Sequence, residues 1–155
     1  MVGVREKSEK ELQDTFDMFL FRLGERMERL KDAVAEVGIS LDYSLESLKE
    51  IETFVLQKGI DRNHDLYDDI ACYIGEVVRK TFGGQWECCL DIKNNSMLYG
   101  MPVVSGYNKH GVLLSPYELL NIFLLRKKTG FLAHSIKMDV NPPMNPEYRK
   151  LVGGK

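Results

Sequence analysis

No apolar run in this chain approaches the roughly 20 residues that a membrane-spanning helix needs, and the opening Met1-Val2-Gly3-Val4-Arg5-Glu6-Lys7 lacks the apolar region of an export signal. A protein that is neither membrane-embedded nor exported is expected. Charge of one sign is lacking too: the formal net charge is −2, with no basic stripe strong enough to displace counterions from a nucleic acid. Nucleic-acid binding is therefore disfavoured. Cysteine is scarce. Cys72, Cys88 and Cys89 make an odd set without framework spacing, and adjacent strand residues point to opposite faces, so a bridge between Cys88 and Cys89 would be strained. A reducing cytoplasm fits such a set.

Local metal-ligand pairs are also missing. Cys72, Cys88, Cys89, His64, His110 and His134 are of ligand type, but no Cys-x-x-Cys or His-x-x-x-His pair holds two of them together, which argues against structural zinc. Asp61, Asn63, Asp65, Tyr67 and Asp69 alternate like the oxygens of a calcium loop. Leu66, however, stands where the sharp turn needs glycine, and Cys72 where a bidentate glutamate is required. An acidic first turn of a helix accounts for the run, and no cofactor is implied. A cysteine–histidine pair assembled by the fold leaves one enzymatic alternative, a small cysteine-dependent hydrolase. Cys72, on the apolar side of a helix, reads more simply as a small buried hydrophobe.

What is present is an ordinary globular composition, 44% hydrophobic and 28% charged over 155 residues. Phe16, Leu20, Leu23, Met27, Leu30, Val34 and Val37 follow a 4-3-4-3-4-3 spacing that keeps one seam of a long helix, about 8–37, buried. That seam packs on its own domain or, alternatively, pairs two copies as a coiled-coil homodimer. Gly38 ends the helix. Ser44 then caps a second one carrying Leu45, Leu48, Ile51 and Val55 and stopped by Gly59, and the short link predicts an antiparallel pair.

A third helix is expected from about His64 to Phe82, burying Leu66, Ile70, Tyr73, Ile74, Val77, Val78 and Thr81, with Asp65, Asp68 and Asp69 at its positive end and Arg79 and Lys80 at its negative end. Gly75 inside it costs about 1 kcal/mol relative to alanine, which marks a place where another backbone crosses closely.

After Gly83-Gly84 the period changes to two, with Trp86, Cys88, Leu90 and Ile92 on one face and Glu87, Cys89 and Asp91 on the other. A turn at Lys93-Asn94-Asn95-Ser96 leads to an antiparallel partner over 97–104, where Pro102 marks an edge or bulge, and Val112-Leu113-Leu114 offers a short third strand. Ser115-Pro116-Tyr117-Glu118 opens a capped helix through Leu119, Leu120, Phe123 and Leu124, with a stop or kink at Gly130. The fold class is α+β: an N-terminal helical pair and a third helix packed on a small antiparallel sheet, with a capped C-terminal helix. One domain over 1–140 and a mobile tail over 141–155 are expected.

The candidate binding or structural residues are Tyr73, Gly75, Glu76, Arg79, Gly83, Gly84, Trp86 and Tyr107. Glu76 pairs with Arg79 along the helix, or faces the sheet and holds the indole N–H of Trp86. Trp86, Tyr99, Tyr107 and Tyr117 are candidates to line a groove, and Tyr107, in a glycine-rich turn, is the candidate for an exposed recognition residue.

The stretch from Tyr73 to Trp86 resembles an uncharacterised bacterial domain family, with Tyr-x-Gly-Glu, a basic residue, then Gly-Gly-x-Trp. Its similarity extends over about Leu41 to Ala133: Leu41-Asp42-Tyr43-Ser44-Leu45-Glu46-Ser47-Leu48 is similar to the segment that begins an upstream helix, Pro102-Val103 to a strand after the hairpin, and Pro116 to a helix start. The resemblance implies a bacterial protein without an assigned activity, of an accessory or immunity-like kind. With catalytic spacing missing, a non-enzymatic protein that binds a protein partner through the sheet edge or the Tyr107 turn is expected.

Overall fold

In the computed structural model, residues 6–141 are described, and the tail expected at 141–155 falls, from 142 on, outside them. Five helices and two strands follow in the order α1 (Glu9–Ala35), α2 (Ser47–Lys58), α3 (Tyr67–Phe82), β1 (Gln85–Cys88), β2 (Pro102–Ser105), α4 (Pro116–Arg126) and α5 (Phe131–Val140). The fold is α+β, with helices packed on a two-stranded antiparallel sheet.

Helix α1 starts on a full capping box. The Ser8 side chain accepts the Glu11 N–H, and the Glu11 carboxylate accepts the Ser8 N–H. Its buried side is Leu12, Phe16, Phe19, Met27, Leu30 and Val34, while Leu20 and Val37 are each 40% exposed. The expected seam is thus corrected at two positions. A straight helix with 3.6 residues per turn drifts off a 3.5-residue repeat, so Phe19 takes the inward place assigned to Leu20. Gly38, at φ 83°, closes the end, with the Ile39 N–H returning to the Val34 carbonyl.

The helical neighbours also differ from a simple N-terminal hairpin. Helix α1 lies along α3, and α2 lies against α5. Helix α3 is the centre of the molecule: every residue from Asp69 to Val78 is buried, and α1 and α4 lie against it. Its start falls later than expected, at Tyr67, because the His64 side chain accepts the Leu66 N–H and holds 61–66 as turns. Thr81, expected inside, is exposed at its last turn.

Gly83 and Gly84 take φ of 89° and 97° and turn the chain out of α3 into β1. A side chain on Gly84 would meet the Ser105 carbonyl oxygen at 2.5 Å, so this glycine also lets the hairpin close. The register pairs Gln85 with Ser105, Trp86 with Val104, Glu87 with Val103 and Cys88 with Pro102. Both strands are shorter than the alternating pattern implied. Ladder contact goes on from Cys89 to Gly100 and Met101, but Ile92 is exposed in the turn that Asp91 caps. The third strand is reduced to one bridge, Val104 to Leu114.

Ser115 caps α4 by accepting the Glu118 N–H. The stop comes at Lys127, φ 52°, and Gly130 opens α5, an element not foreseen. Glu52 of α2, only 1% exposed, accepts the N–H groups of Gly130 and Leu132 at 2.7 and 3.0 Å. A buried carboxylate from a distant helix therefore fills the capping role for α5, satisfying amides that would otherwise lack acceptors. Buried side chains from all seven elements join one hydrophobic cluster.

Candidate functional site

Four of the eight residues singled out above, Gly75, Glu76, Arg79 and Trp86, meet on one side of α3, and their contacts are inward. The Trp86 indole lies over Gly75: a side chain there would meet the indole at 2.2 Å and the Pro116 ring at 3.2 Å. The close approach is thus by a side chain, where a crossing backbone was expected. The indole N–H donates to Glu76 Oε1 at 2.7 Å, and Arg79 Nη1 donates to the same oxygen at 2.6 Å. Both readings of Glu76 hold at once. The carboxylate is 7% exposed and satisfied from two sides, as a buried charge must be. Phe19 of α1 completes the stack, edge-on to Trp86 at 4.9 Å.

Tyr73, one turn before the glutamate, joins the second stretch that carries the family resemblance. Its ring stacks on Tyr43 at 5.1 Å, and its hydroxyl accepts the Tyr43 N–H at 2.9 Å. Ser47 Oγ donates to the Ser44 carbonyl, which leaves the Tyr73 hydroxyl to donate to Ser47 Oγ at 2.6 Å. Burial raises the Tyr73 pKa, so the hydroxyl keeps its proton. Tyr43 holds φ 63°, uncommon for a residue with a side chain, and is fixed there by that hydrogen bond, the stack and the ammonium groups of Lys31 and Lys80 over its ring. The two stretches, distant in sequence, form one internal staple.

Tyr107 is corrected. It is 3% exposed, packed beside Gly84, and its hydroxyl donates to Asp139 at 3.5 Å. Burial raises the pKa of both groups. A tyrosine in a glycine-rich turn is exposed only when nothing covers the turn, and here α5 covers it. The sheet edge is likewise engaged: the Leu114 bridge sits beside β2, and α1 lies against β1.

An open surface lies elsewhere. Between α1 and the segment leading into β2 runs a groove of about 520 Å³, lined by Phe16, Met18, Phe19, Met101 and Pro102 and also by Tyr117, Arg22 and Arg26. Of the four aromatic groove candidates, only Tyr117 lines it; its hydroxyl donates to Asp68 at 2.8 Å, and burial raises its pKa. A second recess of about 400 Å³ continues along α1 between Phe21, Glu25 and Arg29, sharing Met18, Arg22 and Arg26 with the first. Phe21 is 82% exposed, a large apolar side chain in water beside two arginines. Behind this face, Asp69 is fully buried and takes two hydrogen bonds from Arg29, at 2.7 and 2.8 Å, and one from Arg26 at 3.3 Å. Asp69 had read as a member of an acidic first turn. Its place on the α1 side of α3, one turn from Cys72 and Tyr73, was the available sign that it faces inward.

Two of the cysteines, Cys72 and Cys88, sit in surroundings that keep them protonated. Burial pushes the Cys72 thiol up to about 12 and raises Cys88, whose sulfur donates to the Leu12 carbonyl at 3.9 Å. His110 and His134 are on the surface, and His64 Nδ1 is engaged with the Leu66 N–H. Among the described residues, no three His, Cys, Asp or Glu side chains converge where a metal ion would fit. None of their helices is long and apolar enough to cross a membrane. Compared with protein-family models, with curated proteins and with solved structures, the chain gives no match.

Proposed function

We propose that this chain is a non-enzymatic cytoplasmic bacterial protein of the accessory kind, immunity proteins among them, which binds another protein along the groove between α1 and residues 100–102. The observation that carries the reading is the outward face of α1. Phe21 and Met18 stand 82% and 49% exposed next to an apolar recess, and Met97, 85% exposed, lies just upstream of the groove's other wall. Large apolar side chains in water beside a concave apolar wall are a usual mark of an interaction surface. Three free buried thiols support the reducing compartment. Membership of the bacterial family with the Tyr-x-Gly-Glu and Gly-Gly-x-Trp stretches belongs to the same proposal, supported by the contact of those stretches in space.

Self-association is a separate matter. Phe16, Met27, Leu30 and Val34 are buried within the chain, so a homodimer built on the 16–37 helix would use its exposed side, Met18, Leu20 and Phe21.

The test is purification at native expression level under mild conditions. The reading expects a partner in fixed stoichiometry, lost when Phe21→Asp or Met18→Glu is introduced at these exposed positions. A partner retained by both variants, or none in stoichiometric amount, contradicts it.

A further inference from the structure

The charge along the groove narrows the kind of partner. The residues lining the two recesses include three arginines, Arg22, Arg26 and Arg29, against one carboxylate, Glu25. Arg29 is committed to Asp69 in a two-point pair. Arg26 shares Asp69 and approaches Asp68 at 3.7 Å, yet its Nε is buried with no acceptor among the described residues. Arg22 makes no ion pair with any described residue, although it borders both recesses and stands next in sequence to the exposed Phe21. An apolar recess bordered by one unpaired guanidinium, that of Arg22, is electrostatically complementary to a peptide that carries a carboxylate among its apolar side chains.

We propose that the groove takes an acidic amphipathic helix from another protein, its apolar side chains seated between Phe19 and Pro102 and beside Phe21, with a carboxylate on Arg22. This rests on the protein-binding reading above. The geometry suits a helix laid along α1: from Thr15 to Arg29 the face runs for about 20 Å, a length that about four turns of a partner helix would match. The volume of the main recess falls in the range of roughly 300–1,000 Å³ typical of binding clefts. A second copy of this chain fits less well, since of the residues lining the two recesses only Glu25 would offer a carboxylate to the other copy's Arg22.

A displayed library of random 16-residue peptides, selected on the immobilised full chain and counter-selected on Arg22→Glu, tests this. Enriched sequences should carry Leu, Phe, Met or Trp at i, i+3 or i+4 and i+7, with Asp or Glu beside them. A synthetic peptide of the most enriched sequence should bind at least about tenfold more weakly to Arg22→Glu, and more weakly at high salt. Enriched peptides that are neutral or basic, enrichment equal on both proteins, or no enrichment at all would overturn the proposal. So would light scattering showing a dimer that Phe21→Asp and Arg22→Glu dissociate, because the groove would then belong to a second copy. A native partner lost in Phe21→Asp but held by a neutral or basic segment leaves the protein-binding reading standing and removes only this one.

Discussion

Trp86 occupies the space that a side chain on Gly75 would need. A methyl group placed there lies 2.2 Å from the indole, so one of the two must move. Gly75→Ala gains up to about 1 kcal/mol of helix propensity, but overpacking a filled core costs about 1–3 kcal/mol. A backbone and an indole held on two sides give little room for relief, so a net loss of stability by urea unfolding is expected. Trp86 is the only tryptophan, and its fluorescence follows the transition directly. A variant more stable than the parent would show that the indole does not depend on that gap.

Glu52 and the start of α5 give the second prediction. Glu52→Ala leaves the half-buried amide of Gly130 and the buried amide of Leu132 without their acceptor. The cost should be about 2–4 kcal/mol, since each unsatisfied buried donor costs about 1–3 kcal/mol. Glu52→Gln keeps one acceptor oxygen and should lose less. Hydrogen exchange at Gly130 and Leu132 should quicken first. Equal stability of parent and Glu52→Ala by denaturant unfolding would contradict the capping role.

Cys72 should be inert in the folded protein. With its thiol pushed up to about 12, only a minute fraction is thiolate at neutral pH, and a water-soluble thiol reagent should modify it at the rate of unfolding. The folded-state value lies above the unfolded value of about 8.5, so between them the native state holds the proton more tightly. Cys72 therefore contributes stability that is complete below about pH 8.5 and declines as pH rises beyond it. Cys72→Ala should flatten that decline. Rapid native-state labelling of Cys72 would contradict its burial and reopen a nucleophilic role.

Asp139 carries a pH dependence in the acidic range. Burial raises its pKa, while the Tyr107 hydroxyl pulls it down less strongly. The native state then binds the proton more readily than the unfolded chain, so this group's contribution improves as pH falls through the raised value and levels off below the unfolded one. Asp139→Asn should be at least as stable as the parent at pH 7, with the advantage vanishing by about pH 3, below the ordinary aspartate value of about 3.9. An advantage that grows on acidification would reverse the sign and reject the assignment.

Much of the fold was legible because its signals are local. The double glycine at 83 and 84, the Ser115-Pro116 cap and the Gly38 and Gly59 stops each act within a few residues of themselves, and each falls where its chemistry puts it. What was not legible depends on partners distant in sequence. Nothing beside Glu52 in the chain announces that its carboxylate caps a helix 80 residues away, and Tyr107 has the local setting of an exposed turn until α5 covers it. The Glu76–Trp86 contact lies between these cases, since ten residues separate the two and the helix-to-strand handover brings the indole back over its own helix. The groove itself was missed. Phe21 and Met18 lie outside the spacing that runs from Phe16 to Val37, and apolar residues on the outer side of an otherwise charged helix were its available sign.

The outward face of α1 is the claim most open to direct trial. A photoactivatable amino acid at position 21, with the same residue at the exposed position 109 as control, can be introduced into the full chain in its native cells. One discrete protein adduct from position 21, lost when Arg22→Glu is added and missing from position 109, is the predicted result. Adducts that are diffuse, or the same from both positions, would contradict it.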